Sequence, residues 1–320
     1  SAGQTFQAFL SLMGQGGDGG GFAPGGAYGN AGAPHRAQLG AGQMRVWGSA
    51  YGGHIGLSAD PVSGAASLSA SNVGMVGGVD MRLRDGLLLG ATLGWGGQHF
   101  RSDNGTGTSD DVAIGIYGRH EDGALYVSAA LGYGWHHIKT LRTLTVSGTD
   151  VLQGVQDATD FGGRLETGWH FALDEISAIT PYAAFVGDSV ESPHYAETAV
   201  SGASTFALSV APHTDALGRM EAGARLSRDY TLEDGTLTGG LQAAWAHQIN
   251  DVPLTQASFL GLSGANFLVT GVRPARDAAL LGAALEMRQR SGFFFGVRGE
   301  SLLGSGTTTV EGMGELGWHW

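Results

Sequence analysis

The stretch Leu125-Tyr126-Val127-Ser128-Ala129-Ala130-Leu131-Gly132-Tyr133-Gly134-Trp135-His136 alternates with a period of two. Leu125, Val127, Ala129, Leu131, Tyr133 and Trp135 take one face, and Tyr126, Ser128, Ala130, Gly132, Gly134 and His136 take the other. Successive Cβ atoms of an extended chain point to opposite sides, so this is a strand with one apolar face and one small, mixed face. The scheme recurs. Phe161, Leu165, Trp169 and Phe171 oppose Arg164, Glu166 and His170. Met220, Ala222, Ala224 and Leu226 oppose Arg219, Glu221 and Arg225, and Leu281, Ala283, Leu285 and Met287 oppose Glu286 and Arg288.

Punctuation between these stretches alternates as well. Short charged turns stand at 84–86, 121–123, 174–175, 233–235 and 290–292, several of them with the Asp-Gly pair that marks a tight hairpin. Longer polar loops lie near 58–66, 101–108, 139–156, 191–213, 250–274 and 304–307. The strands then fall at 44–57, 68–83, 86–100, 109–120, 123–138, 157–173, 177–190, 214–230, 235–249, 275–290, 292–303 and 308–320. About 12 strands, with short turns at one end and long loops at the other, is the pattern of an outer-membrane barrel, with the turns periplasmic. The fold class expected is all-β: a transmembrane antiparallel barrel over 44–320.

Composition supports a membrane setting. Only 14% of residues are charged, against about 25% in ordinary soluble domains. Hydrophobic residues make up 42%, with 57 glycines besides, yet no apolar run is long enough for a membrane helix. Lys139 is the only lysine. A large soluble β-sandwich with core tryptophans is the competing fold, but it would carry many more exposed Lys and Glu residues. Trp95, Trp135 and Trp245 precede long loops, Trp169 precedes a short turn, and Trp318 and Trp320 close the chain. Two girdles of interfacial aromatics are expected from them, with Trp47 near the start of the first strand. With no cysteine, disulfides and thiolate sites are excluded, and a net charge of −12 argues against a nucleic-acid partner. There is no initiator Met or signal peptide; for an exported barrel, a leader removed or left out is expected.

Residues 1–43 differ in texture. Phe6, Phe9, Leu10 and Met13 share one face at helical spacing, so a short helix is expected over 1–13. A glycine-rich linker follows, to about 42.

Some of these segments carry a family resemblance. Val46-Trp47-Gly48-Ser49-Ala50-Tyr51-Gly52-Gly53 resembles the first strand of autotransporter barrels, the C-terminal translocators of type V secretion. Gly77-Gly78-Val79-Asp80-Met81-Arg82, then Asp85-Gly86-Leu87-Leu88-Leu89-Gly90 and Gly94-Trp95-Gly96, resembles the next hairpin of that family. Arg276-Asp277-Ala278-Ala279 resembles its antepenultimate strand. Leu316, Trp318 and Trp320 alternate toward one face and end on an aromatic, although the family usually ends in Phe and has a glycine where Glu315 stands. The resemblance covers about 44–320.

The resemblance implies an outer-membrane translocator that exports or anchors a passenger fused upstream, with its C-terminal strand read by the barrel assembly machinery. It also implies that the 1–13 helix runs through the pore, and that the chain is a monomer in lipid with its passenger side extracellular and its C-terminus periplasmic. The charged residues expected to face the lumen are Asp80, Arg82, Arg119, Arg164, Glu166, Arg219, Glu221, Arg225, Glu286, Arg288, Arg298, Glu300, Glu311 and Glu315. Their bland reading is a hydrated, ion-paired interior. Their functional reading is a contact surface for the helix and a polar path for a passenger. No HExxH, Walker loop or GxSxG appears, and no catalytic residue, metal or cofactor is expected. His136 and His137, adjacent on a strand, should point to opposite faces. Self-cleavage at Asn30 is not expected, because it sits in the glycine-rich stretch. A plain porin, for which loop 191–213 or 250–274 is long enough to fold inward as a constriction, and a barrel enzyme with His99, Asp110 and Asp111 near its rim, are the alternatives.

Overall fold

The computed structural model describes residues 42–60, 64–103, 105–146, 148–249, 254–262 and 264–320. The helix expected over 1–13 and nearly all of the linker lie outside them.

Twelve long antiparallel strands make the barrel: β1 (Met44–Leu57), β2 (Leu68–Arg84), β3 (Leu87–Ser102), β4 (Gly105–Asp122), β5 (Leu125–Leu144), β6 (Asp150–Trp169), β7 (Ser177–Ser192), β8 (His213–Leu232), β9 (Gly235–Gln248), β10 (Asp277–Gln289), β11 (Phe293–Gly304) and β12 (Thr307–His319). Each pairs with its chain neighbours, and β1 also pairs with β12 from Arg45↔His319 to Leu57↔Thr307. That last ladder closes the sheet and leaves it no long edge, as spanning a bilayer requires.

The short connections are built as turns. Gly86 has φ of 75° in the β2–β3 turn, and a Cβ there would collide with the Glu121 carbonyl oxygen of the next turn. In the β6–β7 connection the Asp174 carboxylate accepts from the backbone N–H groups of Ile176 (2.9 Å) and Ser177 (2.6 Å). These bonds, led by the one from Ile176, hold its carboxyl below the usual carboxylate range.

At the opposite end the structure departs from the sequence expectation. Residues 139–156 are not simply a loop: β5 and β6 stay paired up to Leu144↔Asp150. The alternating signal fades there because a ladder that rises above the apolar belt has no buried apolar face to encode. Within the stretches expected as loops at 191–213 and 250–274, four short strands form a second sheet: Asn266–Thr270, Leu254–Phe259, Leu208–Val210 and Tyr195–Ala196.

The polarity of the barrel is inverted relative to a soluble protein. Leu93, Ile114, Ile116, Leu131, Phe161, Leu165, Phe185, Leu241, Leu285 and Val297 are exposed on the outer face. The inner face buries Asp80, Arg82, His136, Asp160, Arg164, Glu166, Glu221, Arg225 and Glu286. Apolar side chains outside and charges inside fit only a hydrocarbon solvent. Among the described residues no helix is long and apolar enough to cross a membrane; the crossing is made by strands.

Candidate functional site

The candidate site is the polar wall of the barrel interior. It is positioned by alternation: any residue in step with Tyr126, Ser128 and Ala130 points inward.

The largest network spans β6 and β8. The Arg164 guanidinium donates to Glu166 (2.6 Å) and to Glu221 (2.9 Å). Arg225 donates to both oxygens of Glu166 (2.6 and 2.9 Å), and Tyr126 donates its hydroxyl to Glu166 (2.7 Å). Arg219 reaches Glu221 at 2.8 Å. The Arg225 guanidinium lies 3.9 Å from the Tyr182 ring centroid, and that of Arg119 lies 4.1 Å from the Tyr126 ring centroid. Arg164, Arg219 and Arg225 with Glu166 and Glu221 thus form one charge-assisted lattice; the Tyr182 ring covers Arg225, and the Tyr126 ring covers the neighbouring Arg119.

A second network lies toward the turn end. Arg45 donates to Asp80 through Nε (3.0 Å) and a terminal nitrogen (2.6 Å). Tyr117 donates to Asp80 (2.5 Å), and the Trp47 indole N–H donates to the Tyr117 hydroxyl (3.0 Å). Trp47 is therefore not an interface residue: it is 4% exposed and in step with the inward Arg45 and Ser49. Its ring fills the space where Gly78 on β2 has no side chain, about 2.5 Å from where a Cβ would sit. Tyr126 covers Gly168 and Tyr117 covers Gly90 in the same manner. Large rings laid over glycines of a neighbouring strand let inward aromatics lie flat along the wall instead of filling the lumen.

A third group lies toward the loop end. His136 sits between Asp111 (2.7 Å from Nδ1) and Asp160 (2.8 Å from Nε2), and Ser109 hydrogen-bonds Asp111. His137 points outward and meets Asp157 at 2.6 Å. Among the described residues no group of three or more His, Asp or Glu side chains is arranged to hold a metal ion.

The remaining charged residues named from the sequence also lie on the inner face. Asp80 pairs with Arg45 rather than Arg82, and Arg119 reaches Glu121 at 2.7 Å. Glu286 bonds Arg288. Arg298, Glu300, Glu311 and Glu315 are half-buried on β11 and β12, where Glu300 stands directly opposite Glu311. The sequence expectation named Asp111 only near the rim and left out Arg45, Glu121, Asp160 and Asp188; all five are buried. Parity with Arg119 on β4 was the signal available for Asp111 and Glu121, and parity with Arg164 on β6 for Asp160. Trp95, Trp135, Trp169, Trp245, Trp318 and Trp320 are exposed. Trp169 lies 6.3 Å from Phe171, and Phe293 lies 6.3 Å from Trp318, at the turn end.

At the loop-end rim lies a cavity of about 1080 Å³, whose lining includes Leu57, Ser58, Ser67, Ser102 and Thr307. A closed, inverted, 12-stranded barrel with a charge-lined inner face defines the class as transmembrane barrels of the outer-membrane type.

Comparison with known proteins gives the family. The autotransporter beta-domain family model matches residues 46–300, and the chain belongs to that family. No curated protein matched the chain. Among solved structures, the translocator domain of autotransporter NalP from Neisseria meningitidis matches with a TM-score of 0.73 at 14% identity, covering 99% of this chain and 95% of that one. The beta domain of the Bordetella autotransporter BrkA matches at 0.64 with 16% identity, covering 87% and 99%. The transport unit of AIDA-I from Escherichia coli matches at 0.51 with 13% identity, covering 98% and 97%. At such identities the structural likeness speaks for the fold, and the family model carries the membership. Family and fold together support an outer-membrane translocator.

Proposed function

We propose that this barrel exports, and anchors at the cell surface, a passenger fused upstream of Ser1. The observation that carries this reading is the combination of an autotransporter beta domain with a polar, charge-lined lumen and a first strand that begins at the turn end, where β12 also ends. The turn end faces the periplasm, the loop end faces outward, and β12 with its terminal Trp318 and Trp320 is presented to the assembly machinery. The barrel works as a monomer without a cofactor and without a catalytic step. The inward charges, Asp80 to Glu315, form a wetted path and the contact surface for residues 1–13, which close the pore as a helix. The test uses cells bearing the full-length protein. An impermeant amine reagent should mark Lys139, the only lysine of the chain and exposed near the loop end. Added protease should release the segment upstream of Ser1. Modification of Lys139 only after the outer membrane is opened would reverse the orientation, and an upstream segment that stays protected would sink export.

The loop-end cavity and the wet interior also suit a simple channel. Planar-bilayer recording separates the two readings. Removing residues 1–42 should raise single-channel conductance severalfold while the barrel stays folded. Equal conductance with and without them would discard the plug and favour the channel.

A further inference from the structure

The outer wall of β1–β5 carries a polar feature beyond the level of Trp95 and Trp135. In register, His54 faces Ser71, Ser71 faces His99, His99 faces Thr108, and Thr108 faces Lys139. All five are exposed and in step with the outward apolar residues of their strands. They form one row across five neighbouring strands, at about 4.8 Å per strand. One row further toward the loops, exposed Arg101 stands between Ser69 and Thr106.

The basic side chains of this patch are uncommitted. Among the described residues Arg101, His99 and Lys139 make no hydrogen bond or ion pair, and His54 shares one only with the Ser71 hydroxyl (3.0 Å). The nearby carboxylates are Asp103, Asp110 and Asp157. Asp103 accepts from the Ser67 backbone N–H and hydroxyl at 3.3 and 3.1 Å. Asp157 is held by His137. Asp110 lies one row nearer the indoles, opposite His137. Tryptophan marks the membrane interface, so the rows beyond Trp135 stand at headgroup level, and the long stems of Lys139 and Arg101 let their charges lean toward it.

We propose that this patch is a binding site for the phosphate-bearing headgroup of an outer-leaflet lipid. Arg101 and Lys139 supply the charge, His54 and His99 supply ring N–H donors, and the Ser71 and Thr108 hydroxyls complete the donor set. A row of donors on a wall that already faces lipid is reached by a headgroup whose acyl chains cover the apolar belt below. Which leaflet supplies the lipid rests on the orientation proposed above; the lipid affinity of the purified barrel does not, so the two fail separately.

The experiment is native mass spectrometry of the purified full chain in neutral detergent, titrated with bisphosphorylated lipid A and with its dephosphorylated form. The wild type should bind the phosphorylated form tightly. Arg101→Gln with Lys139→Gln should weaken it about tenfold or more, leave the weak binding of the dephosphorylated form unchanged, and keep the heat-modifiable folded species. Asp110→Asn should not weaken binding. The charge-keeping pair Arg101→Lys with Lys139→Arg should retain it. Equal binding of the two lipid forms by the wild type, or equal binding of the phosphorylated form by wild type and the Gln pair, would overturn the proposal. So would displacement of the lipid by equimolar inorganic phosphate, which would reveal a plain anion site.

Discussion

Glu166→Gln should lower the unfolding free energy of the refolded barrel by about 3 kcal/mol or more, the scale for removing one partner from a buried ion network. Glu166 accepts from Arg164, Arg225 and Tyr126, and its side chain is 2% exposed. The amide keeps the shape but removes the charge. Arg164 retains Glu221, whereas Arg225 keeps the Tyr182 ring, the Tyr126 hydroxyl and a neutral amide oxygen. Its guanidinium is then a buried cation without a counter-ion. Denaturant titration of the barrel in detergent reads the effect as a lower midpoint at unchanged slope. The double variant Glu166→Gln with Arg225→Met should recover much of the loss, because no orphan charge remains. A single variant as stable as the wild type would mean that water at this wall already screens Arg225, and that the lattice contributes nothing to stability.

Leu131→Arg should cost about 2–4 kcal/mol in a bilayer, the range for arginine on the lipid face near the midplane. Leu131 is 48% exposed on the outer face, four residues from the exposed Trp135 and six from Leu125, whose partner across the ladder is Trp169. It therefore lies between the two aromatic levels, where a guanidinium meets hydrocarbon. Leu165→Arg and Leu285→Arg should behave alike, both being exposed on the same face. Arginine at the neighbouring inward position, Gly132→Arg, places its charge in the lumen instead and should act on conduction rather than on transfer into lipid. Equal losses of bilayer stability at Leu131 and Gly132 would refute the assignment of faces.

The reach of the sequence can be judged from particular segments. The period-two pattern of 125–136 carries its own face assignment, because alternation is a property of one extended strand and needs no partner. The same holds for Arg164 and Glu166, or Arg219, Glu221 and Arg225: spacing alone puts them on one side. Short Asp-Gly turns located the turn end, since Gly86 and Gly123 are required locally by their positive φ. The near absence of lysine and the dispersed apolar residues pointed to lipid before any ladder was drawn.

Partner choice was not legible. Asp80 lies two residues from Arg82, yet its cation is Arg45, brought opposite it by the β1–β2 register. Trp47 looked like an interface anchor because tryptophan suits either the interface or a cover over glycine; only the neighbouring strand, with Gly78 at that level, decides which. The loop-end parts of β5 and β6, 139–144 and 150–156, carry no strand signal because strands standing in water on both faces lose the apolar alternation that identifies them. The row His54–Ser71–His99–Thr108–Lys139 spans 85 positions of sequence without any local signature.

The sequence by itself determined the twelve strands within the apolar belt, the faces of most of their side chains and the solvent they meet, because these follow from side-chain spacing within each segment. Only the tertiary structure decided which charges pair, which aromatics turn inward and which scattered cations become one patch. Those are properties of inter-strand register and ring closure, and a strand does not encode its neighbours' registers in its own composition.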